Sequence, residues 1–307
     1  MTRLRERGVA LISVLLITAL VTLIVSDMLA RQRLTLVSSA SQMRQLELWQ
    51  MALSGEAWAR ERLRADLAEA RDKARRPASD TPAADAQAEP HSVNLAQGWA
   101  RGGTLDIGGG QVRVHLEDLS ARFDLDSLRL APDATLRARY QRLLALLEVP
   151  PHDPARLPAP PAAGGGLLGF ADSSELARLD ALDAAELRRL RPQVATLGGE
   201  ALNLNTAPAI QLATLEGLDL ASAQALVAAR PREGWPSLQA FLEQPALHGR
   251  PIERLGLGLS SRHFRACLDV SLGDRRLRLA SDFRTHDDGR VELLRRTLLA
   301  PEPTSED

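Results

Sequence analysis

MTRLRERG (Met1 to Gly8) followed by VALISVLLITALVTLIV (Val9 to Val25) decides how this chain is built. The first eight residues carry Arg3, Arg5 and Arg7 against one acid, Glu6, and end at Gly8. An unbroken apolar run starts at the next residue. An ordinary secretory signal has its small-residue cut after the apolar region. Here the small residue stands before it, so a cut between Gly8 and Val9 keeps the apolar helix on the mature chain. At about 1.5 Å per residue, Val9 to Ser26 spans about 27 Å, close to the hydrocarbon thickness of a bilayer. Ser13, Thr18 and Thr22 can return their hydroxyls to helix carbonyls and so cost little in lipid. The later candidate cut, Ser26-Asp27-Met28-Leu29-Ala30, is interrupted by an acid and bulky residues, which disfavours removal of the helix. The arginine-rich leader favours a cytoplasmic N-terminus, although Arg31 and Arg33 weaken the asymmetry.

The 307 residues suffice for one transmembrane helix and about two small domains. Removing Met1 to Gly8 takes away three arginines and one glutamate, moving the formal net charge from −1 to −3. That is no footprint for general nucleic-acid binding. Cys267 is the single cysteine, which excludes an intrachain disulfide and a cysteine-rich metal site; it reads as a small buried hydrophobe in a strand. Aromatics are 3%, so the core is built from Leu, Ala and Val.

From Met28 to about Arg76 the pattern predicts one long helix, broken only by Gly55, with Met43, Leu46, Trp49, Leu53 and Ala57 at helical spacing. These apolar residues either bury against a sheet or meet partner helices. Pro77 to Ser92 reads as an exposed loop. Thr104 to Ile107 and Gln111 to Asp118 alternate about Gly108-Gly109-Gly110, a hairpin with Val112, Val114 and Leu116 on its apolar face and His115 solvated. In Ala121 to Leu128 the acids Asp124 and Asp126 lack the glycine and terminal glutamate of an EF-hand. They read as capping and turn residues, with Phe123, Leu125 and Leu128 buried.

Leu136 to Leu147 is an amphipathic helix, Pro150 to Gly166 a Pro/Gly linker, and Ser173 to Leu190 a pair of short helices. Ser173 or Ser174 can cap the first, and Asp183 with Glu186 gives a capping-box start to the second. Strands return over Phe264 to Leu272, Arg276 to Phe283 and Val291 to Leu294 as an antiparallel meander. Strands on both sides of a helical block imply one sheet interrupted by an inserted helical domain, with the long helix packed on the sheet. Pro301 to Asp307 is an acidic tail.

Ala201 to Leu242 follows a helix-hairpin-helix pattern. In DNA-binding units of that kind a Gly-x-Gly hairpin lets backbone amides approach phosphate. Here Gly217-Leu218-Asp219 puts a carboxylate at the second glycine, and only Arg230 and Arg232 offer positive charge nearby. The unit reads as a packing module; a membrane-anchored DNA-binding protein is the alternative. No enzyme is expected. His91, His115, His152, His248, His263 and His286 are scattered with no HExxH, no Gly-x-Ser-x-Gly occurs, and the glycine run lacks the Lys-Ser/Thr of a phosphate loop.

The leader has the layout of a type IV prepilin leader. With LEDLSARFDLDSL (Leu116 to Leu128), ALNLNTAPAIQLATL (Ala201 to Leu215) and VSLGDRRLRLASDFR (Val270 to Arg284), the chain resembles the general secretion pathway protein K family, the large minor pseudopilins of type II secretion. The likeness runs in order from the leader to about Arg296. It implies an α+β fold: a pilin-like long N-terminal helix packed on an antiparallel sheet, with an inserted all-α, helix-hairpin-helix-like domain. The corresponding division is leader 1–8, transmembrane helix 9–30, pilin-like domain 31–128 and 259–298, inserted domain 129–258 and tail 299–307.

The resemblance also implies prepilin-peptidase cleavage between Gly8 and Val9, N-methylation of Val9, and a single-pass inner-membrane protein with its soluble part in the periplasm. The implied partners are the minor pseudopilins I and J of the pseudopilus tip and the major pseudopilin filament, with no nucleic acid. Leu46, Trp49 and Leu53 then become candidate filament or tip contacts. The fifth residue after the cut is Ser13, where most pilin-like subunits carry a glutamate that neutralises the amine of the subunit already in place; a subunit that starts the filament has no predecessor, and the acid gains nothing. Some family members carry an acidic calcium-associated loop in the helical domain. The corresponding Pro150 to Gly166 has Asp153 as its one acid, so no cofactor is expected, calcium through that loop included.

Overall fold

The computed structural model describes residues 3–75, 92–158, 169–179 and 181–300. The expected loop Pro77 to His91, most of the glycine-rich half of the linker and the tail from Pro301 lie outside them. The chain divides into two compact units, 1–51 and 52–307. One helix, α1 (Arg3–Arg75), supplies nearly all of the first and the opening of the second.

In the second unit, β1 (Gly103–Ile107) and β2 (Gly110–Asp118) form the expected hairpin, with Gly108 and Gly109 at positive φ in its turn. β7 (His263–Leu272), β8 (Arg275–Thr285) and β9 (Val291–Leu299) form the meander. β2 pairs antiparallel with β7, which makes one five-stranded sheet in the order β1-β2-β7-β8-β9. Everything between β2 and β7 is therefore an insertion into that sheet. Val112, Val114, Leu116, Leu268, Val270, Leu279 and Phe283 are buried, and alternation puts them on one face.

α1 crosses that face. A Cβ on Gly55 would come within 2.7 Å of Val112 and 3.2 Å of Leu268, so glycine is what lets the helix lie close to the sheet. Beside it, buried Glu56 accepts from Arg296 Nε at 2.7 Å and Nη2 at 2.9 Å, and from Ser281 Oγ at 2.8 Å. Farther along, Asp66 accepts from the amides of Gly98 and Trp99, and Trp99 meets Phe264 edge-on at 5.2 Å.

The insertion holds β3 (Phe123–Asp124), α2 (Asp126–Leu130), α3 (Ala134–Leu146), α4 (Ala184–Leu190), β4 (Val194–Ala195), β5 (Leu202–Asn203), α5 (Ala209–Leu212), α6 (Leu220–Ala229), α7 (Leu238–Leu242) and β6 (Leu257–Gly258). It is mainly helical. The sequence does not announce its two parallel two-residue ladders, β3 with β4 and β5 with β6, because segments so short have no periodicity to read. Two cores fill it. One joins Phe123, Leu125, Leu128, Tyr140, Leu143, Leu144, Leu176, Leu190 and Val194. The other joins Leu204, Leu212, Leu215, Leu226, Trp235, Phe241 and Leu259. Asp183 and Glu186 make the expected capping box on α4. The short helical turn Ser173–Arg178 is capped by Asp172, one residue before the expected serines.

Candidate functional site

Within the first unit, the apolar residues from Val14 to Leu29 are exposed along α1, and this helix alone among the described residues is long and apolar enough to cross a membrane. Thr18 Oγ1 donates to Val14 O at 2.6 Å and Thr22 Oγ1 to Thr18 O at 2.7 Å, so both hydroxyls are satisfied within the helix. Asp27, where the run ends, pairs with Arg31 one turn on at 2.9 Å. Gly8 and Val9 both lie inside α1, and Ser13 is on its exposed surface.

Farther along α1, Leu46 is 62% exposed, Ala57 is exposed, and Trp49 and Leu53 are half-buried. The buried positions are Leu48, Met51, Ala52, Gly55, Glu56, Ala59 and Leu63. Leu46 is thus on the exposed side, while Trp49 and Leu53 border the buried stripe. The true inner stripe is hard to see in sequence because its middle consists of a glycine and a glutamate, neither of which scores as hydrophobic.

The insertion is tied down by three acids. Asp118, at the end of β2, accepts from Ser120 N at 2.8 Å, Asn203 Nδ2 at 2.8 Å and Thr206 Oγ1 at 2.6 Å. Asn203 also accepts from Asn205 N at 3.1 Å, and Asn205 takes the amide of Trp235 at 2.7 Å. Asp124 accepts from four amides: Asp126 and Leu197 at 3.0 Å, Gly199 at 2.6 Å and Glu200 at 2.7 Å. Asp126 takes Phe170 N at 2.6 Å and Gly198 N at 2.8 Å.

Burial pushes the Asp118 carboxyl above its ordinary value against these donors. Burial also pushes Asp124 up to about 6, aided by the charge of Asp126 and opposed by the amides. Turn chemistry is thus what Asp124 and Asp126 do, but apart from the local bond to Asp126 N it is done on amides 44 to 76 residues away, which sequence spacing cannot disclose. No group of three or more His, Cys, Asp or Glu able to hold a metal occurs among the described residues.

The hairpin of the helix-hairpin-helix unit turns at Gly217, with φ +70°. Asp219 then caps α6, accepting from Ser222 N at 2.7 Å, and that amide draws its carboxyl below the ordinary value. The helix N-terminus that phosphate would occupy already holds a carboxylate of the chain itself. Arg230 donates to Ala207 O and lies over the Trp235 ring at 5.3 Å; burial lowers its pKa to about 10. Arg232 is exposed, and Arg250 lies beside the turn, its Nη1 3.6 Å from where a Gly217 Cβ would stand and its charge helping to lower Asp219. This geometry packs a module and does not build a phosphate cradle, so the DNA-binding alternative gains no support.

The family model for type II secretion system (T2SS), protein K, matches residues 202–259, which is the stretch closed at its two ends by the β5–β6 ladder. Type II secretion system protein K of Pseudomonas aeruginosa is 33% identical over 327 residues, covering 95% of this chain and 93% of that protein. The chain belongs to the type II secretion protein K family. The Klebsiella pneumoniae protein K is 29% identical over 313 residues, covering 89% of this chain and 90% of its own. The Aeromonas hydrophila protein K is 26% identical over 339 residues. Among solved structures, the crystal structure of the GspK-GspI-GspJ complex from enterotoxigenic Escherichia coli matches with a TM-score of 0.65 at 21% identity. It covers 86% of this chain and 99% of that one, and the likeness shows a shared protein K fold. The three sequence segments that carried the resemblance include Asp118 with its partners Ser120, Asn203 and Thr206, and the acids Asp124 and Asp126, but not the amides at Phe170 and Leu197 to Glu200 that those two acids hold.

Proposed function

We propose that this chain acts as a minor pseudopilin K, assembling with the minor pseudopilins I and J into the tip of a pseudopilus and helping to start or cap that filament for protein export across the outer membrane. It works by assembly and has no catalytic role. The full-length likeness to protein K relatives, with an exposed apolar helix at the chain start, carries this reading. Cleavage between Gly8 and Val9 and methylation of Val9 leave a single-pass anchor in the inner membrane and the remainder in the periplasm. The pilin-like part, 31–128 with 259–298 by sequence, is bounded more closely by the strands that flank the insertion, β2 ending at Asp118 and β7 starting at His263. Exposed Leu46, with half-buried Trp49 and Leu53 on the border of the buried stripe of α1, is offered to the helices of other subunits. A bulky insertion does not fit inside a tightly packed helical shaft, but it fits at an end where one neighbour is absent.

Intact-mass and peptide analysis of the native protein tests the anchor. The expected mature chain begins with N-methylated Val9; a chain beginning beyond Ala30 would remove the filament reading altogether. Ser13→Glu tests the tip position. It should reduce filament initiation or move the subunit into the shaft, read as lower export and as co-purification with the major pseudopilin. Unchanged export and unchanged tip assembly would argue that Ser13 is merely tolerated.

A further inference from the structure

Toward the C-terminal end of α1 the packing leaves a gap. Leu63, Leu67 and Ala70 on the helix, Val93 and Trp99 on the segment before β1, and Phe264 near the start of β7 wall a partly open cleft of about 130 Å³. Leu63, Trp99 and Phe264 are buried, so the inner wall is made of core side chains. An apolar cavity of roughly 150 Å³ takes up benzene, and this cleft is therefore sized for one ring or one branched aliphatic group. Its wall is held in place. Asp66 accepts from the amides of Gly98 at 3.2 Å and Trp99 at 2.6 Å, and Gln97 Oε1 accepts from Trp99 Nε1 at 2.9 Å. A wall fixed on backbone and ring alike does not have to reorganise to receive a ligand.

The rest of the lining carries charge, and most of it is matched. Arg262 Nη2 lies 3.6 Å from Asp287, and His286 Nε2 is 2.9 Å from Glu292 Oε2. Asp66, the acid on the helical wall, is taken up by its two amides. Arg71, which also lines the cleft, is different. It is half-buried and has no hydrogen bond or ion pair among the described residues. Its Nη1 stands 2.7 Å from where a Cβ on Gly289 would be. Gly289 has φ +86°, so the β8–β9 turn calls for glycine twice over, for its backbone and for the room it leaves the guanidinium.

We propose that this cleft binds an apolar, ring-sized group that carries a carboxylate close by, with the apolar part between Leu63, Trp99 and Phe264 and the carboxylate on Arg71. The planar donor fork of arginine suits a carboxylate, and burial of the ring supplies the affinity. The last residue of a peptide that ends in phenylalanine or leucine has this chemistry, and so does a free arylalkanoic acid. A cationic ligand of the same shape would meet Arg71 as a like charge. The site is independent of the assembly reading above.

The test follows the Trp99 ring itself. The full-length chain in detergent is labelled with 5-fluorotryptophan, and Trp99→Phe identifies the fluorine signal of that ring. Because the ring is part of the wall, its signal reports entry into the cleft and not uptake of the probe by detergent. N-acetylphenylalanine should shift the signal saturably. Its C-terminal amide should need about ten times the concentration, the low end for losing a hydrogen bond to a charged group. Arg71→Gln should bring the acid down to the level of the amide. Ala70→Leu, a helix former that fills the cleft, should abolish the shift from both probes without lowering the thermal midpoint. A tripeptide ending in phenylalanine separates the sources: tighter binding than N-acetylphenylalanine marks a peptide end, and equal binding marks a small acid. No saturable shift up to about 10 mM would overturn the proposal. So would equal affinity for acid and amide, unchanged affinity for the acid in Arg71→Gln, or unchanged binding in Ala70→Leu.

Discussion

Asp124→Ala is expected to lower the thermal midpoint of the chain by about 8 to 16 °C and to abolish export. The variant deletes the acceptor for four backbone amides, those of Asp126, Leu197, Gly199 and Glu200. Asp124 is 6% exposed, so water cannot readily replace it. The Asp126 and Leu197 donors are buried and cost about 2 kcal/mol each when left without a partner, while water can reach the Gly199 and Glu200 amides, giving about 4 kcal/mol in all. A kilocalorie shifts the midpoint of a domain this size by about 2 to 4 °C, which yields the range above. Asp124→Asn should do nearly as badly, because its amide group would point N–H at N–H. Calorimetry on the purified chain reads the effect; a shift under 3 °C for Asp124→Ala would mean that the loop at Leu197 to Glu200 does not depend on this acid.

The same residue gives the wild type a pH signature. Its carboxyl is raised from the ordinary 3.8 to about 6 in the fold. A raised acid holds a proton in the folded state that the unfolded chain has released, so stability grows as pH falls through 6 and levels off near 3.8. Glu56 and Glu216 have the opposite sign. Burial works against both, but hydrogen bonds from Arg296 and Ser281 to the first and from Arg139 to the second bring them below the ordinary 4.5. What they contribute is lost as pH falls below that value. Buried His263, lowered from 6.5 to about 4, pulls the other way over the same range, so the Asp124 contribution is read as the stability difference between the wild type and Asp124→Ala, which should shift in favour of the wild type as pH falls through 6 and level off near 3.8.

How much of this was legible in the sequence depended on the range of the interaction. Period-2 alternation over Gln111 to Asp118 and Arg276 to Phe283 placed strands correctly because one face of each is apolar over several residues. The capping box at Asp183 and Glu186 was readable because both groups lie within one turn. The partners of Asp118 and Asp124 were not, since Asn203 and Leu197 are far along the chain and a buried acid looks in sequence like any surface turn residue. Pairing of β2 with β7 was inferred only as a sheet interrupted by an insertion; its register depends on packing. The inner face of α1 was obscured for a different reason. Gly55 is there for its lack of a side chain and Glu56 for its charge, so hydrophobic spacing picks out Leu46, Trp49 and Leu53, of which Leu46 is exposed and the other two are half-buried.

Glu56 supplies the second large effect. Arg296→Met should destabilise the chain by about 3 kcal/mol, the low end for breaking a buried ion pair, since Glu56 keeps Ser281 and a longer contact to Arg60. That contact is 3.3 Å, against 2.7 Å to Arg296, and Glu56 itself is 3% exposed. The exposed side of Arg296 moderates the loss without removing it, because the cost falls on the glutamate left behind. Glu56→Met in the same chain should recover most of the stability, because two methionines fill the space between α1 and β9 without a charge to desolvate. A double-mutant cycle thus separates two roles. If the double variant melts with the wild type yet fails to export, the ion pair matters for where the helix sits against β9. If it melts and exports like the wild type, the pair only neutralises a charge that the apolar neighbours would tolerate losing. If it stays as unstable as Arg296→Met, Glu56 is not the source of the penalty, and the close approach at Gly55 would have to hold the helix in place without it.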